Sequence, residues 1–158
     1  MGNIRFGHRE GPGRGREVPL VAAQYFHNKG GHFVKLSLDG NASLCATGDA
    51  LVFGWAETPK ATAGYNAWKS SDTAEEDKVF VIYGLEDVFE LPVDEANSKM
   101  AASFLGQGAG LVNKGTTYTI IQHAKIGGNV TASPVTIVDY DLAASTVFVK
   151  IKSSKKLG

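Results

Sequence analysis

Pro134-Val135-Thr136-Ile137-Val138-Asp139-Tyr140, followed by Ser145-Thr146-Val147-Phe148-Val149-Lys150-Ile151-Lys152, decides the fold class. Both runs are dense in β-branched and aromatic residues, which fit a pleated, half-buried surface. In the second run Val147, Val149 and Ile151 fall on one face of a strand, and Phe148, Lys150 and Lys152 on the other. That is a period of two, the strand period, and not the 3.6 of a helix.

Working outward, the same texture recurs. Lys78 to Tyr83 reads as a strand, and Asp87 to Val93 alternates as a half-buried one. Thr116 to Ala124 is rich in β-branched residues, and Gly110 to Asn113 precedes it across a Lys114-Gly115 turn. On the N-terminal side, Val18 to Phe26, His32 to Leu38 and Ala42 to Ala46 read as strands, separated by Asn28-Lys29-Gly30-Gly31 and Asp39-Gly40-Asn41 turns. Ala50 to Ala56 is a continuous apolar run of strand length, expected to be buried on both faces. One helix is expected, over Asp94 to Ser103, with Asp94 as N-cap and glycines beyond its end. Short strands with turns between them and almost no helix predict an all-β domain, a small sandwich or barrel, not a parallel βαβ architecture.

Charge divides the chain. All four arginines, Arg5, Arg9, Arg14 and Arg16, lie in the first sixteen residues, and every later basic residue is lysine. Residues 1–17 hold these arginines and two glutamates, net +2; residues 18–152 hold ten lysines and fourteen acids, net −4; residues 153–158 add Lys155 and Lys156. The N-terminal stretch is too rich in Gly and Pro for a helix and too poor in apolar residues to fold by itself. It therefore reads as an extended N-terminal arm, followed by a β-rich body over 18–152 and a basic C-terminal tail over 153–158. Ile4 and Phe6 lie two residues apart, on one face of an extended strand. Arginine's planar fork suits bidentate recognition of carboxylates, so Ile4, Arg5, Phe6, Arg9, Arg14 and Arg16 are the expected partner-binding residues. Tyr65 and Trp68 join them, being large aromatics inside the longest irregular stretch, 57–77.

Catalytic patterns fail their tests. No Gly-x-Ser-x-Gly elbow is present. Gly106-Gln107-Gly108-Ala109-Gly110 has the composition of a phosphate loop without the Lys-Ser/Thr pair that would follow it. His27 and His32 flank a turn and could face each other, but a zinc site needs at least one more ligand. Glu75-Glu76-Asp77 and Glu86-Asp87 read as solvated loop charge, and Cys45 as a small buried residue. The expectation is no catalytic residue, no metal and no cofactor. A net charge of zero, with glutamates among the arginines, argues against nucleic acid, and no run approaches the ~20 apolar residues of a membrane span. Met1 to Gly7 has no hydrophobic leader, which points to synthesis in a reducing cytosol.

Thr47-Gly48-Asp49-Ala50-Leu51-Val52-Phe53-Gly54-Trp55-Ala56, then Gly84 to Val93 with Val88-Phe89-Glu90-Leu91-Pro92, then Gly108-Ala109-Gly110-Leu111-Val112 resemble the capsid decoration (cement or head-stabilising) proteins of tailed bacteriophages. The resemblance extends over residues 18–152 in style. It implies a β-rich, β-tulip-like body, often a homotrimer, seated on the outside of the major capsid protein lattice with an extended arm lying on the shell. The virion's outer surface is then the expected location, after synthesis in the host cytoplasm, and no catalytic residues carry over. Other readings stay open: another virion β domain (tail, fibre or adaptor), a carbohydrate-binding module stacking sugars on Trp55, Tyr65 and Trp68, or a β nucleotide hydrolase built on Asp139 or Asp49.

Overall fold

The alternating runs are strands. The computed structural model describes residues 6–61, 64–65, 67–94, 102–126, 133–153 and 156. In chain order the strands are β1 (Gly7–Glu10), β2 (Gly15–Pro19), β3 (Tyr25–Phe26), β4 (Gly31–Leu36), β5 (Ala42–Leu44), β6 (Gly54–Glu57), β7 (Lys60–Ala61) and β8 (Gly64–Tyr65). They continue as β9 (Trp68–Lys69), β10 (Lys78–Ile82), β11 (Val88–Pro92), β12 (Gly108–Lys114), β13 (Ile121–Ile126), β14 (Val135–Asp141) and β15 (Thr146–Ile151). The protein is all-β, as its alternation predicts.

Two large antiparallel sheets take most of the described strands, while β3 with β9 and β7 with β8 form separate two-stranded ribbons. The first, in the order β2-β10-β6-β4-β5, takes the N-terminal half; the second, β1-β11-β15-β14-β12-β13, takes the C-terminal half and β1. The first sheet curls until its two end strands meet, and the second until β11, the strand next to its end strand β1, meets β13. Leu20, just past β2, bridges Ala42 of β5, and Val93, just past β11, bridges Ala124 of β13. Val21 N–H donates to the Ala42 carbonyl at 3.0 Å, and Asp94 N–H to that of Ala124 at 2.8 Å.

Each curl holds apolar side chains. Val147, Val149 and Ile151 are buried with Val135, Ile137, Leu111 and Leu91, so the face expected from their spacing is the core face. Phe33 and Trp55 come from the first sheet and Phe89 from the second. Their rings meet at centroid distances of 5.0 Å (Phe33–Trp55), 5.3 Å (Phe33–Phe89) and 5.8 Å (Trp55–Phe89), the first two edge-on and the last stacked. Gln122 of β13 ties the sheets by polar contacts: its Oε1 accepts from Phe33 N–H at 2.7 Å, and its Nε2 donates to the carbonyls of Phe33 at 3.0 Å and Cys45 at 3.2 Å. All three bonds are buried, where leaving a polar group unpaired is costly.

Several expectations are corrected. Val18 to Phe26 is not one strand: Ala23 takes a positive φ of 55° and the chain turns between β2 and β3. The run Ala50 to Ala56 enters the sheet only at Gly54, and Leu51 is exposed. The helix expected over 94–103 falls mostly on residues outside the described set; Ala102–Phe104 form a single 3-10 turn. The tail is not wholly separate, because Lys156 bridges Val52.

The largest correction concerns the arm. Its backbone is extended, but its partners belong to its own subunit. β1 pairs with β11, Gly7 opposite Glu90 and His8 opposite Phe89, and β2 pairs with β10 from Gly15 opposite Ile82 to Pro19 opposite Lys78. The segment thus straps one sheet to the other. Glycine composition made it look unfoldable, whereas the glycines serve close approach. Gly7 has a φ of +130°, and a Cβ there would lie 2.9 Å from the indole Nε1 of Trp55.

Candidate partner-binding face

The strap is locked by two acids that the β10–β11 turn and β11 place against it. Asp87 is buried, and its Oδ1 accepts from Gly13 N–H at 2.7 Å and from His8 Nε2 at 2.9 Å. A Cβ on Gly11 would lie 2.7 Å from the same oxygen, so glycine is required there too. Glu90, also buried, accepts from Arg9 Nε at 2.8 Å and from Thr146 Oγ1 at 2.6 Å. Charged hydrogen bonds of this kind are the strong ones, and removing one partner strands a buried charge. Asp87 is therefore not solvated loop charge. The signal for it was indirect: a glycine-dense segment allows another part of the chain to approach closely, and the N–H groups buried by that approach need an acceptor such as Asp87.

The expected binding residues separate accordingly. Phe6 packs half-buried against the larger core cluster, with its N–H donating to the Lys29 carbonyl at 2.6 Å. Arg9 is turned inward to Glu90. Ile4 and Arg5 lie outside the described residues, and so does the side chain of Tyr65. Trp68 is pinned to its own domain, its ring 5.6 Å from that of Phe26. Trp55 is fully buried, which removes it as a sugar-stacking platform. His27 and His32 do meet, with ring centroids 4.5 Å apart, but each Nε2 is held on a backbone carbonyl, that of Gly31 at 2.8 Å and of Ile120 at 2.7 Å. Burial, with His27 beside it, lowers the His32 pKa to about 3, so this ring is neutral. No cluster of three metal-ligating side chains occurs among the described residues. Cys45 is buried, and burial pushes its thiol up to about 12.

Arg14 and Arg16 remain exposed, with no side-chain partner among the described residues. Arg16 sits on β2, an end strand of its sheet, opposite Val81 and on the same face as Val18. The bridge between Leu20 and Ala42 holds β2 to β5 at one end only. Toward the other end a trough of about 240 Å³ opens between β2 and the β4–β5 hairpin, lined by Arg16, Glu17, Val18, Leu36 and Phe53 among others. Phe53 stacks on Tyr83 at 5.5 Å, and Lys156 lies over both rings, 4.5 Å and 5.4 Å from their centroids. Burial lowers the Lys156 pKa from its ordinary value. Tyr83 N–H points to the Arg14 carbonyl at 3.4 Å, which puts Arg14 at the same rim. Leu38, at the tip of the adjoining hairpin, is fully exposed. The rim thus combines three cations, an aromatic stack and an apolar floor along an open strand edge.

Comparisons of the chain with protein-family models, with curated proteins and with solved structures found no match.

Proposed function

We propose that this chain is a non-catalytic virion protein that seats on the outside of a tailed-phage capsid and stabilises the mature shell, as decoration proteins do. The observation that carries the reading is the β2 rim, where exposed Arg16 lines a trough with Val18, Leu36 and Phe53 beside an unpaired strand edge and exposed Arg14 lies just before that strand. Such a rim suits attachment to another protein's surface, with guanidinium forks for carboxylates and apolar area for burial. The sequence resemblance to decoration proteins points the same way. The grip differs from that of a trailing arm. A segment already paired in its own sheets does not lose the ~1–2 kcal/mol per residue of ordering entropy on binding, so fewer contacts suffice for attachment. Several copies around a symmetry axis, as in a homotrimer, would add multivalency.

The test is sedimentation of the purified chain with intact capsids of the virus it is encoded with. Saturable binding at a copy number matching the whole head lattice supports the proposal. A few copies per particle would move the protein to the tail or an adaptor, and a chain left in the supernatant at high concentration contradicts capsid binding.

A further inference from the structure

We infer that the β2 edge takes an extended acidic segment of the partner protein as an added strand; this rests on the decoration reading and names what the chain grips. β2 is paired on one side by β10, and among the described residues no ladder joins Gly15 to Val18 on the other side. An open edge of this kind presents N–H and C=O groups that a second extended chain can satisfy. The trough runs beside that edge, so a strand has somewhere to lie.

The side chains then specify the guest. Residues 14, 16 and 18 share one face by the strand period, giving Arg, Arg, Val. Glu17 alternates to the opposite face, opposite exposed Phe80, but also borders the trough, so one carboxylate stands among the cations there. A paired strand sets its own residues directly across, on the same face. The fitting guest therefore carries carboxylates at two alternate positions, opposite Arg14 and Arg16, and an apolar residue at the next alternate position, opposite Val18. That apolar group would cover Leu36 and Phe53 in the trough floor. Lys156, over the Phe53–Tyr83 stack, adds a third positive charge at the mouth. Polyanions that lack backbone N–H groups, such as single-stranded DNA, could use the charges but not the strand edge.

The experiment uses the full chain and a synthetic peptide with glutamates at two alternate positions, valine at the next and threonine between them. Binding is read by fluorescence anisotropy, with amide chemical shifts locating the site. We expect saturable binding with shifts concentrated at residues 14–18. Changing Arg14→Ala and Arg16→Ala together should weaken it about tenfold or more, as expected for two lost charge-assisted contacts. A peptide N-methylated at alternate amides should bind far more weakly, and one with lysine for glutamate should not bind. The inference is overturned if the acidic peptide fails to bind, if the lysine peptide binds as well, if N-methylation or the double variant changes nothing, or if single-stranded DNA binds more tightly. The capsid assay separates the two proposals. A double variant that sediments with capsids as well as the wild type removes this inference and leaves the decoration reading standing. A chain that takes the peptide but ignores capsids does the reverse.

Discussion

Asp87 concentrates more of the architecture than any residue of the arm it holds. It is buried and receives both the Gly13 N–H and the His8 ring. Asp87→Ala should destabilise the protein by about 3 kcal/mol, since it strands donors in a buried site. Urea denaturation measures that loss. Trypsin should then cut after Arg14 or Arg16 in the variant under conditions that leave the wild type intact. His32 makes the fold acid-sensitive. Its pKa is about 3 in the folded chain against an ordinary 6.5. Between those values the unfolded chain binds the proton and the native chain does not, so stability is full above about pH 6.5 and falls as pH drops toward about 3. The slope from this one group is at most ~1.4 kcal/mol per pH unit. Thermal midpoints of the wild type should fall across that window more steeply than those of His32→Gln.

At the scale of elements, β1 and β2 behave as a strap and not as an appendage. Removing residues 1–17 takes away β1 and most of β2, uncovers one edge each of β11 and β10, and deletes the His8 and Gly13 partners of Asp87 and the Arg9 partner of Glu90. The truncated chain should lose its cooperative thermal transition, whereas a body folded independently of the arm would keep it. The polar clamp between the sheets gives a second test. Gln122→Ala leaves the buried Phe33 N–H without its acceptor and takes one of two donors from each of the Phe33 and Cys45 carbonyls, which keep Cys45 N–H and Asn113 Nδ2, and should cost about 1–3 kcal/mol by chemical denaturation. Strands with clean alternation, β15 above all, were legible because one face is wet and the other dry. The strap was not legible, because its pairing is set by distant strands and its composition, read locally, favours no structure. Of the rim, Arg14 and Arg16 were visible as residue types. Their meeting with Leu36, Phe53, Tyr83 and Lys156 depends on the curl of the sheet, which no local pattern carries.

For the whole molecule, the two curled sheets share the Phe33–Trp55–Phe89 contact and are strapped together by the N-terminal segment. The central claim is that this segment is ordered before any partner arrives, and that the β2 rim is what a partner covers. Hydrogen–deuterium exchange on the free chain and on the capsid-bound chain tests it most directly. We expect residues 7–13 to be protected in the free chain already, with capsid binding slowing exchange further only around residues 14–18. Fast exchange throughout 7–19 in the free chain, with protection appearing only on the shell, would contradict it.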